Sequence, residues 1–222
     1  MNIMFNVIRN VNIKTTHSLN QPNWQVNVLS FGKFVVKFPK TRNQRMKAIR
    51  SSRLAESLTD DRLSSLLLET AISLQKSFLI LSNSPHLQNF CGSPYIIFDK
   101  LIIQKRGRTF LSLRTDNSTL ELIDHFFTLN QEIWKIGVFE GTFDFLRNCG
   151  ILPNGDPFFI DLGDFSTETE KFYTILSEKR WEYRLDYQAL SAAERQYFDA
   201  LANDIFSLKN FKTKWRSNLD YE

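Results

Sequence analysis

Near the start of the chain, apolar positions alternate with polar ones or run together at strand length. Residues 5–9, 24–29 and 33–38 each read as a β-strand. Ser30-Phe31-Gly32-Lys33 supplies the turn between the second and third. From residue 41 the period becomes helical. Arg42, Arg45, Lys47, Arg50 and Arg53 fall on one side of residues 41–58, and Met46, Ile49 and Leu54 on the other. A second helix starts after Thr59, with Asp60 and Asp61 placed to complement its dipole. It carries Leu63, Leu66, Leu67, Thr70, Ala71 and Leu74 inward and ends at Ser84-Pro85. Two short strands, 95–98 and 101–104, follow around a turn at Asp99-Lys100, and the basic joint Lys105-Arg106-Gly107-Arg108 closes this part.

Residues 118–138 return to a helical pattern through Leu120, Ile123, Phe126, Phe127, Leu129, Ile133 and Trp134. His125 lies beside that apolar face and reads as a packed helix residue. Next comes a hairpin signal: Ile151-Leu152, the turn Pro153-Asn154-Gly155-Asp156, then Phe158-Phe159-Ile160. Beyond Phe165 the pattern is helical to the end. Thr167 with Glu170, and Ser191 with Glu194, have capping-box spacing. The tail from Lys209 to Arg216 interleaves cations with Phe211 and Trp215, a composition that suits either RNA contact or a solvated helix end.

Composition narrows the class. At 222 residues, with 42% hydrophobic residues and 20 Phe, the chain can bury a substantial core, which argues against disorder. A net charge of +4 admits an anionic ligand without requiring nucleic acid. Cys91 and Cys149 lack metal-ligand spacing and read as reduced, structural thiols of a cytoplasmic protein. No apolar run approaches 18 residues, so no membrane-spanning helix is expected.

Three polar residues around the hairpin are the best candidates for chemistry: Asp144, Asn148 and Asp161. Hairpin closure would bring Asn148, just before the first strand, close to Asp161, just after the second. A carboxylate beside an amide oxygen makes a hard donor pair that suits Mg²⁺, with phosphate oxygens and waters completing its shell. Lys37 is the other candidate. It ends the run Phe34-Val35-Val36, and a lysine facing inward among such neighbours is costly unless paired. A strand-end lysine pointing into water fits the same sequence.

In order and in motif, the chain resembles the protein-kinase-like superfamily over residues 25–165, and among its members the compact bacterial kinase-like phosphotransferases. Phe34-Val35-Val36-Lys37 resembles the V-A-I-K strand, and Asp161-Leu162-Gly163 the D-F-G motif, with Asn148 at the usual spacing before it. Asp144 precedes Asn148 by four residues where the family has five, and no His-Arg precedes it.

The resemblance implies a two-lobed α+β fold. Residues 1–104 would form an N-lobe with a five-stranded antiparallel sheet, and residues 105–222 a helical C-lobe carrying the hairpin 148–161. It further implies ATP and Mg²⁺ as cofactors, with Lys37 on the α/β-phosphates and Glu69 or Glu56 orienting Lys37. The main chain of Ile103 to Lys105 would contact adenine, Asn148 and Asp161 would hold the metal, and Asp144 would act as catalytic base toward an unidentified hydroxyl acceptor. An inactive pseudokinase that binds a protein partner is the alternative. A nucleic-acid module using the tail is a weaker one.

Overall fold

Gly32 sits at φ 52°, in the left-handed region that glycine enters without cost, and turns the chain between two strands. These are β1 (Val26–Phe31) and β2 (Phe34–Pro39), antiparallel, with Val28 opposite Lys37. The computed structural model describes residues 26–50, 59–93, 97–98, 101–114 and 118–215. After β2 come helices α1 (Arg42–Arg50), α2 (Asp60–Asn83) and α3 (Pro85–Asn89), then strands β3 (Ile97–Phe98) and β4 (Leu101–Lys105). The four strands form one antiparallel sheet in the order β1-β2-β4-β3. The strand expected over residues 5–9 lies outside the described residues, so the sheet has four described strands where five were expected.

The rest is mainly helical, with two small antiparallel sheets. It comprises β5 (Arg108–Thr109), α4 (Phe110–Leu113), α5 (Thr119–Trp134), β6 (Phe139–Glu140), α6 (Phe145–Asn148), β7 (Cys149–Ile151), β8 (Pro157–Phe159) and β9 (Phe165–Ser166). Then follow α7 (Thr169–Ser177), a 3-10 turn (Arg180–Tyr183), α8 (Leu185–Gln188), α9 (Ala192–Ile205) and α10 (Leu208–Lys214). One small sheet has the order β5-β7-β8, and β6 pairs with β9.

Aromatic rings fill the core of this half. Phe206 lies within 6.3 Å, centroid to centroid, of Phe126, Phe127, Trp134, Phe143 and Trp181. Each such buried ring contributes about 1.5–3 kcal/mol through burial. Phe211 is fully buried, and Trp215 packs against it at 4.6 Å. Phe211 of the cation-aromatic tail therefore belongs to the core, and Trp215, half-buried, packs at its edge.

Helix starts follow the sequence signals in part. Thr59 caps α2 by accepting from Arg62 N–H, and Ser191 forms a full capping box with Glu194. The box expected at Thr167 does not form. Glu168 is the N-cap of α7 and makes no side-chain cap bond, because its carboxylate is drawn to Lys76 Nζ at 2.7 Å.

Helix α2 corrects the membrane expectation on one point. Over 24 residues it is long and apolar enough to cross a membrane by length and composition alone. In the fold, Leu63 and Leu67 pack with Ile49 of α1, while Leu74, Phe78 and Leu81 join the main core.

Candidate functional site

The most buried residue of β2 is its lysine. Lys37 is 6% exposed, and its ammonium donates to the carbonyl of Ile160, the residue before Asp161. Burial pulls its pKa down, and the Asp161 carboxylate opposes that shift. On the same face, buried Gln104 of β4 donates its amide to Phe159 O at 2.6 Å. Side chains from β2 and β4 thus rest on successive carbonyls at the end of the hairpin. Cys91 and Cys149 are both free and buried, and burial raises both thiols above their usual range.

The hairpin forms through the pairs Cys149–Phe159, Gly150–Phe158 and Ile151–Pro157. Its closure sets Asn148 against Asp161. The Asn148 carbonyl accepts from Ile160 N–H at 2.6 Å and from Asp161 N–H at 3.3 Å. The Asp161 carboxylate accepts from Gly163 N–H at 3.1 Å, which curls the segment back on itself. Helix α2 runs alongside, with Ser73 donating to Gly163 O and Ser77 to Phe165 O. Lys37, Asn148 and Asp161 are thereby brought together.

Asp144 opens α6, the single turn that ends at Asn148, and its carbonyl accepts from Asn148 N–H at 2.8 Å. Phe143 before it has φ 56°, a conformation that costs a bulky residue energy unless its surroundings impose it. Here the ring is locked between Phe126, Trp181 and Phe206. The turn is held from below by Asp186, only 4% exposed. It accepts from Leu146 N–H at 2.8 Å, Arg147 N–H at 3.2 Å and the Arg147 guanidinium at 2.7 Å. Arg147 also reaches Asp144 at 3.5 Å. Burial and the Asp186 charge raise the pKa of Asp144, against Arg184 and Arg147. Asp164 is pushed up to about 7 by burial and by the nearby Asp161 and Glu140 charges. An elevated carboxylate is the form general-base chemistry uses.

One expected role does not fit, and a second is narrowed. Glu69 does not orient Lys37: it is exposed and pairs with Arg62 at 3.1 Å, because the helix turns residues 62 and 69 outward together. Glu56 lies outside the described residues. The Lys105 amide is spent on Gly92 O at 3.0 Å, so it cannot serve a base, and Ile103 sits opposite Val36 in the sheet ladder.

Sequence reasoning missed Gln104, Glu140, Thr142, Arg147, Asp164 and Asp186. Glu140 carries a faint signal, as an acid inside the apolar stretch around Val138 and Phe139. Asp186 carries none, being 40 residues from the turn it holds.

No protein-family model matches the chain, and no curated protein sequence matches it. Among the described residues, no group of three or more His, Cys, Asp or Glu could hold a metal on side chains of those types alone. One carboxylate and one amide oxygen, Asp161 and Asn148, fit only a hard cation that keeps ligand phosphates or waters.

Proposed function

We propose that the chain is a kinase-like, two-lobed phosphotransferase, with residues 1–104 and 105–222 as its lobes, that uses ATP and Mg²⁺ on a hydroxyl acceptor. The observation that carries this reading is the meeting of Lys37, from the first sheet, with the Ile160–Asp161 segment, itself bonded to Asn148. A buried lysine beside a carboxylate, with an amide next to it, can grip a triphosphate and its cation.

In this reading Lys37 neutralises phosphate charge, and Asn148 and Asp161 hold the metal. Asp144, raised by burial, accepts the acceptor's proton. The metal supplies charge neutralisation on the transferring phosphoryl group. Glu69 takes no part. A thermal-shift titration with ATP and Mg²⁺ tests the reading: the wild type is stabilised and Asp161→Ala is not. An Asp161→Ala response equal to wild type overturns the metal assignment.

One observation favours a second reading, an inactive nucleotide-binding or partner-binding pseudokinase. Both Lys37 and Gln104 spend their side chains on main-chain carbonyls of the hairpin. Such a protein binds ATP without turnover on any acceptor.

A further inference from the structure

Among the described residues, the Asn148 amide is held at one end only. Its Nδ2 donates to Thr142 Oγ1 at 2.8 Å. A hydroxyl has one proton and two lone pairs. The Thr142 proton points to Glu140 Oε1, and its oxygen also faces Asp144 N–H at 3.5 Å. Glu140 is 2% exposed, and its two oxygens accept from Thr142 N–H and Phe143 N–H, both at 2.9 Å. Burial pushes the Glu140 pKa up and these hydrogen bonds pull it back; in its carboxylate form both oxygens are acceptors, and the hydroxyl donates to Glu140. Its oxygen can then only accept from Asn148. The amide nitrogen is fixed toward Thr142, and Oδ1 is the end left for a cation.

We infer that Glu140 and Thr142 are positioning residues that set the orientation of the Asn148 amide and so present its oxygen as a hard ligand. The ligand half of this inference rests on the function proposed above; the orientation half does not. Groups of this kind behind a metal ligand alter affinity about 10–100-fold when removed.

The test uses Thr142→Val, which keeps the shape and removes the hydroxyl, and Thr142→Ser, which restores it. In the ligand-free protein, the Asn148 side-chain amide protons are followed by NMR, identified by their loss in Asn148→Asp. The expected result is one slowly exchanging Nδ2 proton in wild type and Thr142→Ser, and fast exchange in Thr142→Val. Mn²⁺ binding in the presence of ATP is measured on the same three proteins. It is expected to weaken at least about tenfold in Thr142→Val and to recover in Thr142→Ser. An unchanged amide signal in Thr142→Val overturns the orientation. An altered signal with unchanged Mn²⁺ affinity overturns the ligand role. If wild type itself binds no Mn²⁺ with ATP, the proposed function falls, and the ligand role with it, while the NMR result still decides the orientation.

Discussion

Lys37 donates its ammonium to the carbonyl of Ile160, 123 residues along the chain, and ties the first sheet to the hairpin that carries Asp161. This contact separates two effects that one substitution can read. Lys37→Met keeps the bulk of the side chain and removes a charge whose burial is unfavourable, but leaves the Ile160 carbonyl without its donor, so the loss of stability should stay below about 3 kcal/mol. Stabilisation by ATP with Mg²⁺ should disappear. Denaturant unfolding without nucleotide and a thermal titration with it measure both. A loss of several kcal/mol in Lys37→Met would make the lysine a structural tie instead of a ligand group.

Asp161→Asn offers a finer probe of the metal site than alanine. The amide oxygen can still accept from Gly163 N–H, so the curl after the hairpin should persist. What is lost is the negative charge. Because that charge faces the buried Lys37 ammonium, we expect unfolding in the absence of nucleotide to lose up to about 3 kcal/mol, while the Mg²⁺-dependent part of the ATP response vanishes.

How far the site is legible in the sequence depends on whether each interaction is local. The hairpin is readable because Asn154-Gly155 between apolar runs is a short-range signal, and it alone brings Asn148 to Asp161. Lys37 is readable as an inward lysine, but its partner is not: a main-chain carbonyl has no residue signature. Glu69 misleads because an acid in an apolar stretch invites an inward reading. Helical phase decides otherwise, setting Leu63, Leu67 and Leu74 on the buried face and Glu69 with Arg62 outside. Asp186 acts through sequence-distant bonds that no local pattern encodes. The four-stranded sheet follows from alternation, whereas the two-residue strands β6 and β9 are too short to leave a periodic trace.

The pH dependence of stability should carry the signature of Asp164. Its pKa rises from 3.8 to about 7 on folding, chiefly through burial. The folded state therefore holds this proton more tightly than the unfolded state. The associated stability is present in full below the unfolded pKa and is lost as pH rises through the folded one. Between pH 4 and about 7, wild type should lose stability relative to Asp164→Asn by up to a few kcal/mol, with the difference level above that window. Parallel Tm profiles for the two proteins across that range would contradict the assignment.

Asp186 should matter more to the fold than its place in the single turn of α8 suggests. Asp186→Ala removes the acceptor for two main-chain N–H groups and for the Arg147 guanidinium. Breaking one side of a buried, hydrogen-bonded pair costs about 3–5 kcal/mol, and partial exposure of Arg147 brings the expectation to about 3 kcal/mol. Because the turn from Asp144 to Asn148 rests on these bonds, the Mg²⁺-dependent ATP response should weaken even where the variant remains folded. Retention of both stability and response would mean the turn is held by its aromatic anchor alone.

Gly107 tests the joint between the first sheet and the hairpin. A Cβ there would lie 2.4 Å from Ile151 O and 2.5 Å from the Phe158 ring, so backbone and a buried aromatic would both have to move. Gly32 is the control. Its φ is positive, but a Cβ would meet nothing within 4 Å, leaving only conformational strain of about 1–2 kcal/mol in Gly32→Ala. Gly107→Ala adds overpacking against β7 and β8 and should cost at least about 2–3 kcal/mol. It should also push the β5-β7 pairing apart, and with it the carbonyls on which Lys37 and Gln104 rest. Denaturant midpoints for the two variants decide the matter: equal losses would mean the close approach at Gly107 relaxes freely, and the joint would not be what holds the two sheets in register.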